Sequence, residues 1–365
     1  MKNTYFLTGY PGFLATSLIR QLIHDHQDIE HIHLLVLPNQ ESKAYEEIKS
    51  FAQESSIPEN FFSIVTGDIT KQGLAISESV NQSLKLSVTH VFHLAAIYDL
   101  AVPKVIAYDV NVNGTQNVNN WVKTLDGLSR YIYFSTAYVS GAREGKIYEH
   151  ELSEGQSFKN HYEQTKYEAE LLVDDIKESV PTTIIRPGIV KGNSETGETI
   201  KFDGIYFMLN FLEHLRYLPV MTYLGDGEPE GNFVPSDYVL KAVSYLAVAP
   251  IGKGKTYHLT DPNPYKMKDL HKMLSEQYLG KTPTGQVPLT LAKKALSIAA
   301  IRKWLQVEKE ALDYFEFKTS YDCSQAVNDL EGSGIVCPDL KDTVEPMLTY
   351  YRKYKHDRSK HIEIR

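Results

Sequence analysis

Thr8-Gly9-Tyr10-Pro11-Gly12-Phe13-Leu14-Ala15 is a glycine-marked turn between an apolar run at residues 4–8 and a helical stretch over residues 12–25. At such a strand–turn–helix junction, backbone N–H groups point at a pyrophosphate. Gly9 permits the sharp turn, and Gly12 lets phosphates approach the backbone. Ala15 fills the third position, where a small residue suffices for packing helix on strand. A turn whose glycines serve geometry alone is the alternative. The turn's position at residue nine, directly behind an apolar run, argues against it. Gly9, Tyr10, Pro11, Gly12, Phe13 and Leu14 are the expected diphosphate cradle.

Further apolar runs lie at residues 31–37, 62–66, 90–95, 131–135 and 182–186, with helical stretches between them. That alternation predicts an α/β, Rossmann-type doubly wound parallel sheet with ligands at the carboxyl ends of its strands. Beyond Pro187 the alternation weakens. Residues 189–231 are rich in Gly and aromatic side chains and suit an inserted, pocket-forming segment. Residues 236–249 resemble a capped helix with Asp237 in its first turn, and residues 255–260 a last strand. The expected organisation is a nucleotide-binding domain over residues 1–190, rejoined by 232–260. A smaller, mostly helical substrate lobe takes 191–231 and 261–365.

The 365 residues are 42% hydrophobic and 23% charged, ordinary for a soluble protein with a full core. A net charge of −8 gives no footprint for nucleic acid. No apolar run reaches the roughly 18 residues of a spanning helix, so no transmembrane segment is expected. The first apolar run begins at about Tyr5, which predicts no signal peptide. Cys323 and Cys337 form neither a disulfide framework nor a metal-ligand pair, so a cytoplasmic setting is expected. His24/His26 and His31/His33 lack further ligands nearby, and no metal site is predicted. The cations of residues 289–305 scatter around the helix and favour packing over a membrane surface. The basic tail Arg352, Lys353, Lys355, Arg358 and Lys360 is read as a solvated helix end in preference to a coenzyme A or carrier-protein contact.

Asp68, with Ile69 just past the third run, suits either an adenine contact or a helix N-cap. Leu94, Ala95 and Ala96, ending the fourth run, complete the expected cofactor wall. Past the second run, Leu37-Pro38-Asn39-Gln40-Glu41-Ser42-Lys43 has no acid at its first position for a ribose 2′-hydroxyl, and no Arg for a 2′-phosphate. Asn39, Ser42 and Lys43 suit the phosphate, so NADP is expected, with NAD open.

Tyr162 and Lys166 lie four residues apart, on one helix face, and a neighbouring ammonium makes a phenol easier to ionise. The fifth run ends in the hydroxyls Ser135 and Thr136. With 24 tyrosines in the chain a lone Tyr is usually packing, so it is the order of loop, hydroxyl pair and Tyr-x-x-x-Lys that points to hydride transfer.

Three phrases carry a family resemblance: Ser135-Thr136-Ala137-Tyr138-Val139-Ser140-Gly141, Tyr162-Glu163-Gln164-Thr165-Lys166-Tyr167-Glu168-Ala169-Glu170 and Asn111-Val112-Asn113-Gly114-Thr115. With Arg186-Pro187-Gly188-Ile189-Val190, they make residues 4–264 similar to extended short-chain dehydrogenase/reductases, and more specifically to the thioester reductase and fatty acyl-CoA reductase branch. The resemblance implies Tyr162 as the proton donor to a carbonyl oxygen. Lys166 would lower the Tyr162 pKa and hold the nicotinamide ribose. Thr136, with Ser135 as second choice, would hydrogen-bond the substrate oxygen. Asn111 would support the lysine through water, and Pro187 and Val190 would line the nicotinamide pocket. Such reductases are often fused behind adenylation and carrier domains, which these residues do not contain. The implied substrate is thus an acyl thioester on coenzyme A or on a separate acyl carrier protein, reduced to aldehyde or alcohol. The alternatives are a dehydrogenase or epimerase acting on a sugar nucleotide or a hydroxysteroid-like alcohol, and a non-catalytic cofactor sensor. Ala137-Tyr138 offers no glutamate acid/base, which disfavours a dehydratase. A sensor would be expected to have lost Tyr162 or Lys166. Oligomeric state is not readable from the sequence.

Overall fold

Residues 2–26, 28–98 and 102–364 are described by the structure, a computed structural model of the chain. β1 (Asn3–Thr8) leads into α1 (Phe13–Asp25), β2 (Ile29–Val36) into α2 (Glu41–Ser55), and β3 (Phe62–Thr66) into α3 (Glu78–Ser87). β4 (His90–His93) precedes α4 (Lys104–Ala107), a π-helical turn at Tyr108–Asn113 and α5 (Gly114–Val122). Next come β5 (Arg130–Phe134), β6 (Gly145–Ile147), α6 (His161–Asp174), β7 (Thr182–Pro187) and β8 (Ile189–Lys191). They are followed by α7 (Tyr206–Leu215), β9 (Tyr223–Leu224), β10 (Phe233–Pro235), α8 (Ser236–Val248) and β11 (Lys255–Leu259). The chain ends with α9 (Met267–Leu279), β12 (Gln286–Val287), α10 (Leu289–Leu296), α11 (Ala299–Leu305), β13 (Thr319–Tyr321), α12 (Ser324–Leu330) and α13 (Val344–Tyr354).

The expected doubly wound sheet is present: seven strands in the order β11-β7-β5-β4-β1-β2-β3. The pairings from β7 through β3 are all parallel. Their apolar runs are continuous, with Tyr5, Phe6 and Leu7 fully buried, because helices cover both faces of such a sheet. The chain winds from β1 to β3 in one direction and then crosses to β4 on the other side of β1. The β1–β4 boundary is therefore the topological switch point, where a ligand crevice opens at the strands' carboxyl ends.

The chain divides into two compact units. The first comprises Met1–Val139, His161–Arg186 and Leu240–Tyr257, and the second Ser140–Asn160, Pro187–Val239 and His258–Arg365. Phe6, Leu35, Val65, Val91, Trp121, Tyr131 and Ile184 belong to the first unit's core. Phe202, Leu209, Leu270, Val344 and Tyr351 belong to the second's.

These bounds differ from the expected 1–190 with 232–260. Residues 140–160 fall in the second unit because β6 pairs in parallel with β13, from Gly145↔Thr319 to Ile147↔Tyr321. Just beyond, the buried Glu149 carboxylate accepts from the backbone N–H groups of His258, Gln325 and Ala326. The segment returning to the first unit is narrower than expected, 240–257. The second unit carries helices α7 and α9 to α13, with the short parallel pairs β8–β10 and β9–β12.

Several cations of its tail are engaged within the unit. Lys355 Nζ lies 2.8 Å from Glu213 Oε1, and Lys360 Nζ donates to the Thr199 carbonyl. In α10, Lys293 pairs with Asp313 and Glu316. Among the described residues no helix is long and apolar enough to cross a membrane, and no three His, Cys, Asp or Glu side chains form a metal-binding group.

Candidate active site

At the switch point, Gly9 turns away from β1 with φ +88°, a conformation that favours glycine. A Cβ on Gly9 would stand 2.9 Å from the Ala95 backbone nitrogen and 3.0 Å from the Leu94 carbonyl carbon. The turn and the end of β4 thus meet backbone to backbone. Gly12 N–H donates to the Gly9 carbonyl at 2.8 Å and caps α1 with no side-chain hydrogen bond, and α1 has no acid in its first turn. The first-turn N–H groups of a 13-residue helix are left without a side-chain cap beside an exposed glycine. Tyr10 is buried, while Pro11, Phe13 and Leu14 are half-buried around the turn. This cradle fits the diphosphate of a dinucleotide: backbone donors, no competing carboxylate, and glycines where side chains would collide.

The rest of the expected cofactor wall is mixed. Leu94, Ala95 and Ala96 are half-buried behind Gly9. Thr8 Oγ1 accepts from Ala95 N–H at 3.1 Å and bonds His93 Nδ1 at 2.8 Å, tying β1 to β4 under the turn. Asp68 is no helix N-cap: its Oδ1 accepts from both the backbone N–H and the hydroxyl of Thr70, each at 2.8 Å, so it closes a local turn. Ile69 is buried. Asn39 is exposed on a short 3-10 turn, and Lys43 is exposed with Nζ 3.7 Å from Glu47 Oε1. Pro187 closes β7 and Val190 is the middle residue of β8, both in the second unit.

β5 and β7 run in register from Tyr131↔Thr182 to Phe134↔Ile185. Ser135 and Thr136 follow at the carboxyl end, and their roles separate. Thr136 Oγ1 accepts from Tyr138 N–H at 3.3 Å and is the hydrogen-bond partner of the Tyr162 phenol. Ser135 instead donates to the Glu170 carboxylate. Burial pushes the Tyr162 phenol up, against the Thr136 hydrogen bond, to about 12, and the Glu163 carboxylate adds to the rise.

The sequence led to the opposite shift, with Lys166 lowering that pKa. The ammonium is turned elsewhere: Lys166 Nζ donates to the Phe134 carbonyl at 2.6 Å and to Tyr133 OH at 3.0 Å. Burial pushes Lys166 itself down to about 7, partly offset by Glu170.

Asn111 bonds directly to the segment after β4 and to α6. Its Oδ1 accepts from Ile97 N–H at 2.8 Å, and its Nδ2 donates to the Ile97 carbonyl and to Thr165 Oγ1, each at 3.0 Å. It clamps the segment after β4 to α6, one residue before the lysine. The π-helical turn containing Asn111 sets its direction.

The residues that surround Lys166 were not foreseen. Tyr133 and His93 lie behind it with ring centroids 5.6 Å apart, and His93 Nε2 bonds Thr115 Oγ1 at 3.2 Å. Burial, reinforced by the Lys166 charge, pushes His93 down to about 3. Glu170 and Arg186 form a buried ion pair, with Arg186 Nη2 2.6 Å from Glu170 Oε1. The available sign was their setting: an acid four residues beyond Lys166 on its own face, and an Arg within the buried strand β7.

The family described as male sterility protein, an NAD-binding one, matches residues 7–243. The non-canonical nonribosomal peptide synthetase cpsA of Aspergillus campestris is 25% identical over 306 residues, covering 79% of this chain and 28% of that protein. Fatty acyl-CoA reductase wat of Drosophila melanogaster is 25% identical over 272 residues, covering 65% of this chain and 52% of that protein. The chain thus spans about half or less of these two curated relatives. In fold it resembles the terminal R domain of the myxalamid PKS-NRPS biosynthetic pathway, with a TM-score of 0.81 and 24% identity, covering 98% of this chain and 92% of that one. With the family matched across β1 to α8, the chain belongs to the male sterility protein family, the thioester reductase and fatty acyl-CoA reductase branch of the extended short-chain dehydrogenase/reductases.

Proposed function

We propose that this protein is an NAD(P)H-dependent reductase of an acyl thioester, carried on coenzyme A or on an acyl carrier protein, and that it delivers the aldehyde or alcohol. The observation that carries this reading is the Thr136–Tyr162 hydroxyl pair at the end of β5, with Lys166 one helical turn further on. A phenol held at about 12 is protonated at neutral pH, so Tyr162 enters the reaction as an acid. That suits reduction, in which a carbonyl oxygen gains negative charge and then a proton.

The bound nicotinamide supplies the hydride. Thr136 Oγ1 accepts from Tyr138 N–H, and its hydroxyl would donate to the developing oxyanion. Tyr162 gives the same oxygen a second hydrogen bond and then its proton. Lys166 would hold the nicotinamide ribose hydroxyls and, as an ammonium beside Tyr162, would ease its ionisation. The thioester as substrate is supported by the branch to which the chain belongs. NADP is favoured over NAD because no acid follows β2 directly and Asn39 and Lys43 are exposed there.

The test uses purified protein with NADPH or NADH and a panel of acyl-CoA thioesters and aldehydes, followed at the nicotinamide absorbance together with free-thiol release. Thiol release should match the first equivalent of cofactor oxidised, with NADPH preferred. Turnover of a UDP-sugar with no thioester consumed would overturn the reading.

A further inference from the structure

Residues 286–307 carry Lys293, Lys294, Arg302 and Lys303 and no Asp or Glu, in a chain of net charge −8. The sequence expectation, packing within the lobe, rests on a single helix that scatters these cations around its surface. The structure breaks that helix: Ile298 is extended, with φ −86° and ψ 113°, between α10 and α11. The break sorts the side chains into two faces. Leu296 and Leu305 belong to the second unit's core, and Ala292 and Ile301 pack against it. Lys293 is held by Asp313 and Glu316, and Arg302 Nη1 donates to the Leu296 carbonyl at 2.7 Å. The other face presents Leu291 and Lys294 on α10 and Ala300, Lys303 and Trp304 on α11, all exposed.

This face continues onto the turn after α7. The rings of His214 and Trp304 lie 5.6 Å apart between centroids, which joins the end of α7 to α11. Beyond His214, Tyr217-Leu218-Pro219-Val220 is exposed throughout, Tyr217 at 83%, and residues 214–222 again contain no acid. Leu291, Ile298 and Trp304 are each more than half exposed. Single exposed apolar side chains are ordinary on a protein surface, but a run of them from neighbouring segments marks a binding face.

We propose that this face seats the second unit on an anionic phospholipid bilayer. Trp304, Ile298, Leu291 and the 217–220 turn enter the headgroup layer, and Lys294 and Lys303 meet the lipid phosphates. Trp and Tyr suit that layer because each joins an apolar ring to a polar atom. Lysine suits it because its stem lies along apolar surface while the ammonium reaches phosphate. The core of a protein–protein interface is depleted in lysine, whereas here two lysines stand among the apolar side chains. The chain's overall negative charge is repelled by such a bilayer, so it turns this acid-free face toward the lipid. The seat is peripheral, since among the described residues no helix is long and apolar enough to span. The inference goes beyond the reaction and does not depend on the identity of the substrate.

The test uses full-length protein and vesicles of phosphatidylglycerol and phosphatidylcholine in equal parts. Binding is read by co-sedimentation and by tryptophan emission. The chain has two tryptophans, and Trp121 is buried in the first unit's core, so a shift in emission reports Trp304. The protein should co-sediment with these vesicles while its emission moves to shorter wavelength. Vesicles of phosphatidylcholine alone should bind it at least about tenfold more weakly. Lys294→Ala/Lys303→Ala should weaken binding to the mixed vesicles by about twentyfold, from about fivefold for each lysine at an anionic surface. Tyr217→Ser/Trp304→Ser should weaken it at least about tenfold. All four side chains are exposed, and an unchanged Kd for NADPH checks that each variant is folded.

No co-sedimentation with the mixed vesicles overturns the proposal, as does binding that both pairs of substitutions leave unchanged. Self-association without vesicle binding, lost in Tyr217→Ser/Trp304→Ser, would give the face to a second copy of the chain and also overturn it. Neither readout uses a thioester, so failure of the substrate assignment is a separate result.

Discussion

Replacing Gly9 by alanine tests the cofactor cradle, because Gly73 offers a matched control in the same unit. Gly9 has φ +88° and Gly73 φ +62°, but a Cβ on Gly73 meets nothing within 4 Å. Gly73→Ala should therefore cost only the left-handed backbone penalty, roughly 1–2 kcal/mol. Gly9→Ala carries the same penalty and adds contacts of 2.9 and 3.0 Å with the backbone of Ala95 and Leu94, which cannot rotate away. Overpacking of that kind adds about 1–3 kcal/mol, which brings the total to about 2–5 kcal/mol.

Relief comes only by parting the turn from the end of β4, and that shifts the N–H groups aimed at the diphosphate. Losing one charge-assisted hydrogen bond of about 1.5–3 kcal/mol raises the Kd for NADPH at least about tenfold. Urea unfolding measures the first effect and nicotinamide fluorescence titration the second. Gly9→Ala that binds NADPH like wild type, with a stability loss equal to that of Gly73→Ala, would refute the cradle at this turn.

Two further outcomes follow from the site. Thr136→Val keeps the shape and removes the hydroxyl that bonds Tyr162. Steady-state kinetics should show kcat reduced by about 10²–10³, with NADPH affinity unchanged, as for loss of one oxyanion donor. His93 is held neutral down to about 3, against about 6.5 in the unfolded chain, so the unfolded state binds more protons between those values and stability falls as pH drops through that window. At pH 5 this one group costs about 2 kcal/mol, from 1.5 units at about 1.36 kcal/mol each. In urea unfolding the wild type should lose about that much more than His93→Gln between about pH 7 and pH 5, and equal losses would contradict the assignment.

Much of the first unit is legible because its cues are local. β1, the glycine turn and α1 are contiguous, and the apolar runs became β2, β3, β4, β5 and β7 with ends shifted by a residue or two. The Tyr162–Lys166 spacing needs only the helical period. Contacts that depend on distant pairing were not legible. Residues 140–160 join the second unit through β13, some 170 residues away, and three-residue strands have no periodic pattern to announce them. Thr136 and Ser135 are adjacent and chemically alike, and only the approach of Glu170 separates their roles. The shift of Tyr162 follows from its burial, which spacing along a helix does not specify. For Asp68 the sequence leaves an adenine contact and a helix N-cap both open, and the turn it closes with Thr70 emerges only from the loop's own geometry.

The central claim is that Tyr162 delivers the proton to the reduced carbonyl. The measurement is kcat/KM for thioester-dependent NADPH oxidation by Tyr162→Phe, alongside the variant's Kd for NADPH. The account predicts a fall of about 10²–10⁴ in kcat/KM, the range for loss of a general acid, with Kd within about twofold of wild type. Tyr162→Phe that turns over thioester at the wild-type rate would contradict it.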